Sequence, residues 1–107
     1  MPDERLKLFF ELKAKQMFCK LWLAKNRKIG YTSNEIYLLE RVLNVESKLE
    51  EIEKELYNLL VDNAELFQNL DLNAEAMKPE YKVTYDRQKE LSKEIFGKSY
   101  VIDDFID

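Results

Sequence analysis

The residues whose spacing comes nearest to a catalytic pattern are carboxylates in the middle of the chain. Glu46, Glu50 and Glu53 share one face of a predicted helix, and Asp62 precedes Glu65 by three residues. Carboxylates can bind Mg²⁺ when they converge on one point from facing elements. All five of these lie on one predicted helix, so they spread along a single surface. We therefore predict no metal site and interpret them as a solvated helix flank.

Other catalytic groups are scarce. The chain has no histidine and a single cysteine, Cys19. Histidine is the usual acid–base group near neutral pH, and no residue near Cys19 in the sequence can activate its thiol. Two isolated glycines cannot form a phosphate-binding loop. We therefore predict a protein that is not an enzyme and has no cofactor, with Cys19 packed in a core and no disulfide.

A row of basic residues follows one line of the first predicted helix. Lys13, Lys20 and Arg27 are spaced seven apart. They fit a solvated face that pairs with acids of the next helix. Alternatively they fit a row of phosphate contacts, with Phe18 or Trp22 stacking on bases. The charges are not confined to one face, as a membrane-surface helix requires, so we expect no membrane partner.

Charge is divided unevenly along the chain. Residues 1–30 carry a net charge of +5 and residues 31–107 carry −9, although the whole chain carries only −4. A basic first part and an acidic remainder can attract each other within the fold. The basic part can also attract an acidic partner or a polyanion.

Apolar residues form two opposed stripes on the first predicted helix. The first stripe contains Phe10, Ala14, Met17, Leu21 and Ala24. The second stripe contains Leu8, Leu12, Cys19 and Leu23. A helix with two apolar stripes is typical of one packed between two neighbours. We expect the second helix on one side, and the third helix or a partner subunit on the other.

The most regular pattern is an apolar seam with alternating steps of four and three residues, interrupted at Asn63. Its members are Leu38, Val42, Val45, Leu49, Ile52, Leu56, Leu59, Asn63 and Leu66. Heptad spacing indicates a helix that buries a narrow stripe against another helix. The partner can be the first helix, antiparallel, or the same seam of a second copy. In a second copy Asn63 selects the register, and it fits equally well a solvated position near the helix end. Because the first helix is too short to cover the second, we predict a hairpin that dimerises through this seam.

Start and stop signals divide the chain into elements. We predict one domain over 1–97, with helices over about 3–28, 33–70 and 80–96, and a tail over 98–107. Thr32 and Glu35 form a capping box at the start of the second helix. Ser47 and Glu50 form another possible box, so a break near Asn44 stays open.

The tail combines acidic and apolar residues. Its candidate docking residues are Tyr100, Ile102, Asp103, Asp104, Phe105 and Ile106. Such a segment can fold back on the basic first helix. It can also dock in a basic, apolar groove of a partner and become ordered on binding.

Together these patterns predict an all-α protein: a long antiparallel hairpin with a shorter third helix, forming a coiled-coil-like, dimeric bundle. We expect a non-enzymatic adaptor or regulatory protein that binds another protein. The alternative is a small nucleic-acid-binding protein that uses Lys13, Lys20 and Arg27. The start MPDERLK lacks a signal-peptide layout, so we expect a cytoplasmic location. The richness in Lys, Glu, Asn and Ile suits an AT-rich genome, and small helical chains without motifs are frequent among phage and plasmid regulators, so we expect a phage or plasmid origin.

Overall fold

The described part of the chain is all-α. The computed structural model describes residues 1–27 and 36–106, and it contains no strand in these ranges. The elements are α1 (Glu4–Asn26), α2 (Ile36–Asp62), α3 (Ala64–Gln68), α4 (Leu72–Ala76), α5 (Tyr85–Phe96) and a 3₁₀ helix (Ile102–Phe105). The predicted helical class is confirmed. The predicted capping box at Thr32 and Glu35 lies outside the described residues.

Local hydrogen bonds define both ends of α1. The Asp3 carboxylate accepts a hydrogen bond from the Arg5 amide at 2.9 Å, which satisfies one of the free N–H groups of the first turn. The Asp3 amide donates to the Tyr81 hydroxyl at 2.9 Å, which joins this end to the loop before α5. At the other end, the Asn26 side-chain amide donates to the Trp22 carbonyl at 2.8 Å.

The second helix differs from its predicted extent. α2 continues through Asn44, so Ser47 does not begin a new helix. The interruption comes at Asn63, which separates α2 from α3 and ends the single helix predicted to reach residue 70. The Asn63 side-chain Nδ2 donates to the Leu59 carbonyl at 3.0 Å, and its side-chain Oδ1 accepts from Arg5 Nη1 at 3.1 Å. Asparagine competes with helical backbone bonds in this way.

The α2 seam is covered by the same chain. Four of its residues are buried: Val42, Val45, Ile52 and Leu56. Four more are partly buried against the same core: Leu38, Leu49, Leu59 and Leu66. The core also contains the α1 residues Leu12, Cys19 and Leu23. The heptad pattern is therefore explained without a second copy. The homodimer stays a prediction.

Polar contacts show that α1 and α2 are antiparallel. Arg27 pairs with Glu46 at 3.4 Å near the end of α1. Gln16 donates to Glu53 at 3.0 Å near its middle. The contact of Arg5 with Asn63 lies near its start. Residue numbers fall along one helix as they rise along the other, as in the predicted hairpin.

The third predicted helix begins later than expected. α5 starts at Tyr85 rather than near residue 80, because the Thr84 hydroxyl accepts a hydrogen bond from the Arg87 amide at 3.2 Å. Gly97 ends the helix in the left-handed conformation, with φ of 73°. A short helix, α4, occupies part of the predicted connector and is capped by Asp71.

The C-terminal tail folds back on α1 and α5. The Phe105 ring lies 6.1 Å from the Phe18 ring and 5.3 Å from the Tyr100 ring. The buried Ser92 hydroxyl donates to the Lys98 carbonyl and accepts from the Tyr100 amide at 2.9 Å. Of the two interpretations of the tail, the structure places its aromatic side chains within the fold. Asp103, Asp104 and Ile106 stay exposed.

Truncation of a buried seam residue tests the placement of the seam. We expect Leu56→Ala to lower the free energy of unfolding by about 2–5 kcal/mol, because it removes a buried side chain and leaves a cavity. Leu43 lies on the same helix with 57% of its surface exposed, so Leu43→Ala serves as the matched control. Its effect should stay within about 0.5 kcal/mol in urea titrations. An equal decrease in the free energy of unfolding for the two variants would contradict this placement of the core.

The pair between Glu11 and Arg87 gives the fold a pH dependence. The Glu11 carboxylate accepts from Arg87 Nε at 2.7 Å and Nη2 at 2.8 Å. These hydrogen bonds lower the pKa of Glu11 below its ordinary value of 4.5. Because the pKa of Glu11 is lower in the folded chain than in the unfolded chain, the ion pair stabilises the fold above about pH 4.5. This stabilisation is lost as the pH falls below that value and Glu11 becomes protonated.

We therefore expect Glu11→Gln to lower the urea midpoint at pH 7, and we expect this deficit to shrink below pH 4.5. Glu55 is exposed on α2, so Glu55→Gln is the matched control. Urea titrations of the wild type and both variants between pH 3 and pH 7 check this. A deficit for Glu11→Gln that does not change with pH would contradict the ion pair.

Candidate protein-interaction surface

The predicted basic row lies on the surface of α1, next to α2. Lys13, Lys20 and Arg27 are all exposed. Lys13 donates to Gln16 at 2.8 Å, and Arg27 pairs with Glu46. Among the described residues, Lys20 has no ion-pair partner within 4.0 Å. Arg27 is therefore used inside the fold, whereas the two lysines keep their charge open to solvent.

The aromatic residues proposed for base stacking are not accessible. Phe18 has no exposed surface and Trp22 has only 3%. Trp22 stacks on the Phe96 ring at 5.8 Å, and the Arg41 guanidinium lies 5.4 Å from its ring centre. The expectation that these rings stack on nucleic-acid bases is therefore wrong.

The carboxylates of α2 contact side chains of α1. Glu46 accepts from Arg27 and Glu53 accepts from Gln16. Within the described ranges, no group of three or more acidic, cysteine or histidine residues is placed to hold a metal ion. These two carboxylates therefore join the long helices.

The two apolar stripes of α1 have different environments. On the second stripe, Leu12, Cys19 and Leu23 are buried, and only Leu8 is substantially exposed. The first stripe is covered at its start, where the Phe10 ring lies 5.9 Å from the Tyr81 ring. Further along, Met17 is 49% exposed, Leu21 is half-buried and Ala24 is exposed. The first stripe therefore leaves an apolar surface open to solvent.

This open surface forms a shallow groove of about 320 Å³, here called the α1 groove. It is lined by Lys13, Ala14, Gln16, Met17, Lys20, Leu21 and Ile102. Its apolar residues come from the first stripe of α1 and from the 3₁₀ helix. Lysine is the only charged residue type that lines it. Sequence reasoning identified the stripe and the lysines but missed the contribution of Ile102.

Hydrogen bonds from α5 hold Ile102 in place. The Ile102 amide donates to the Gln88 side chain at 2.9 Å, and the Tyr85 hydroxyl donates to the Asp103 carboxylate at 2.8 Å. That bond raises the pKa of the Tyr85 hydroxyl. Asp104 accepts from the Val101 amide at 2.8 Å, which fixes the start of the 3₁₀ helix. The wall of the groove is thus tied to α5.

A second set of exposed apolar residues lies on the outer face of α2. It contains Ile36, Leu43, Tyr57 and Val61. Glu50 and Lys54, both exposed, fall between Leu43 and Tyr57 on this face. The apolar surface is therefore interrupted by charge at the middle of the helix, in contrast to the α1 groove.

Comparisons with other proteins give no family or relative. No protein-family model, curated protein or solved structure matches this chain. No described helix is long and apolar enough to cross a membrane. Function is therefore inferred from the surface of the molecule.

The single thiol provides a test of the core beneath this surface. Cys19 is fully buried, and burial raises the pKa of its thiol to about 11. Only the thiolate attacks disulfide reagents, so we expect Cys19 in the folded protein to react with Ellman's reagent at pH 8 at least about a hundredfold more slowly than a free thiol. Urea should restore the full rate. Rapid labelling of the folded protein would contradict the burial of Cys19.

Proposed function

We propose that this chain is a non-enzymatic adaptor or regulatory protein that binds another protein through the α1 groove. The observation that carries the proposal is Met17, which remains 49% exposed at the centre of an apolar stripe. Covering apolar surface stabilises a complex by about 25 cal/mol per Å². Methionine also adapts its shape to a partner, since its side chain is unbranched and flexible.

The rest of α1 supports this choice of surface. Its other stripe is covered by α2, and its Phe18 side is covered by the tail through Phe105. On the outer α2 face, Glu50 and Lys54 separate Leu43 from Tyr57, whereas Tyr57, Leu60 and Val61 adjoin one another. The α1 groove combines apolar area with a charged border, as the centres and rims of protein interfaces do.

Nucleic-acid binding is the second candidate, because the Lys13 and Lys20 ammonium groups are exposed. Two features make it weaker. Arg27 is already paired with Glu46. Glu53 accepts a hydrogen bond from Gln16, so its carboxylate lies beside the row of basic residues. A phosphate backbone following this row would approach both carboxylates, which repel it.

A site-specific photo-crosslink tests the proposed function. We expect benzoylphenylalanine at position 17 to give discrete protein adducts in an extract of the source cells, because the groove brings a partner to this side chain. The same group at position 54 is the control, since Lys54 is exposed on the outer face of α2. Mass spectrometry identifies the adducts.

Two outcomes would contradict the proposal. The first is the absence of protein adducts from position 17. The second is the same set of adducts from positions 17 and 54, which would show collisions rather than a site. Adducts from position 17 that disappear after nuclease treatment would favour the nucleic-acid candidate instead.

A further inference from the structure

The spacing of the α1 groove matches a second heptad stripe. Phe10, Ala14, Met17, Leu21 and Ala24 follow steps of four, three, four and three. Phe10 is covered by Tyr81 and Ala14 is buried, so the open part of the stripe runs from Met17 to Ala24, over about 10 Å or two helical turns. An apolar stripe of this period accepts the side chains of a second helix between its own. The geometry of the groove therefore fits a helix better than an extended peptide.

The lysines occupy a defined position relative to this stripe. When Ala14 and Leu21 are assigned to heptad position a, and Met17 to d, both Lys13 and Lys20 fall at position g. Side chains at g face the flanking positions of the partner helix and select its charge. Ile102 lines the groove on the opposite border.

The charge of these lysines is not neutralised within the described fold. Lys13 is hydrogen-bonded to the neutral side chain of Gln16, and Lys20 has no ion pair among the described residues. Arg27, further along the same row, already pairs with Glu46. A carboxylate from a partner would therefore gain attraction at Lys13 and Lys20 without displacing an existing ion pair.

An antiparallel second copy of this chain is a poor occupant of the groove. Two antiparallel stripes would bring the g positions together, which places lysine against lysine. Like charges at these positions oppose pairing. The occupant is better matched by a different protein.

From these observations we propose that the α1 groove binds an amphipathic helix of another protein, with carboxylates on the flank that faces Lys13 and Lys20 and apolar residues against Ile102. This rests on the proposed function and adds the chemistry of the partner. The two helices would form a short two-stranded coiled coil on the side of α1 opposite α2.

Two synthetic helical peptides test this. They share the same three leucine heptads and differ only on their flanks, which carry glutamate in one peptide and lysine in the other. We expect the glutamate peptide to bind the full chain at least about tenfold more tightly at physiological salt, because two flanking attractions replace two repulsions. Fluorescence anisotropy of labelled peptides measures both affinities.

Charge-reversal variants in the groove, and control variants elsewhere on the surface, test whether the two lysines select the peptide. We expect Lys13→Glu with Lys20→Glu to invert the preference between the peptides. Lys54→Glu with Lys89→Glu changes the net charge equally at exposed positions on α2 and α5, and should leave the preference as it is. Met17→Glu should abolish binding of the glutamate peptide while the urea midpoint stays near that of the wild type.

Several results would overturn the inference. These are equal binding of both peptides, binding of neither, or an unchanged preference in the Lys13→Glu, Lys20→Glu variant. A dimer of the wild type that Met17→Glu dissociates, measured by light scattering, would assign the groove to a second copy instead.

The photo-crosslink separates this inference from the proposed function. If adducts from position 17 persist in the Lys13→Glu, Lys20→Glu background, the chain binds a protein there but not through an acidic flank. If position 17 gives no adducts at all, the proposed function itself fails.

Discussion

The rest of the structure depends on covering the apolar seam of α2. A narrow stripe such as Val45, Ile52 and Leu56 can be removed from water only by another helix, and α1 of the same chain provides it. This pairing sets the antiparallel direction of the two long helices. It also fixes the rotation of α1, because Leu12, Cys19 and Leu23 must face the seam. The C-terminal tail and α5 therefore pack on the sides of α1 that do not face α2.

That remaining surface is divided between the tail and solvent. Phe105 covers Phe18, and Ser92 holds the chain between α5 and the 3₁₀ helix through two hydrogen bonds. The tail reaches α1 at Ile102 but leaves Met17 half exposed. The same segment thus completes the core on one side and forms the wall of a groove on the other. The α1 groove is therefore formed between α1 and the packed 3₁₀ helix.

Sequence reasoning was most successful where the signal was periodic or local. The heptad spacing gave the seam and the helical class, and Asp3 and Gly97 lie at the ends of helices as their chemistry requires. It was less successful where local signals competed. Asn63 was interpreted either as a register-selecting seam position or as a solvated position near the helix end. It lies between α2 and α3, and its side chain bonds to the Leu59 carbonyl. The third helix was expected to begin near residue 80, but Thr84 caps it.

Nonlocal contacts explain what the sequence could not show. A heptad seam specifies the shape of its partner but not which chain supplies it, so the hairpin and the dimer were equally compatible with the spacing. The position of Ile102 in the groove depends on the bond from its amide to Gln88, which joins residues 14 apart. The lysines and the apolar stripe could be found from the sequence. Their assembly with the tail into one groove could not.

Isotope-filtered NMR on a mixture of labelled and unlabelled chains tests the central claim most directly, which is that α1 covers the seam of its own chain. The antiparallel register predicts contacts from Leu12 to Leu56 and from Leu23 to Val45, and we expect them only within one chain. Contacts between a labelled and an unlabelled chain at these seam residues would contradict this claim and would show that a second copy covers the seam.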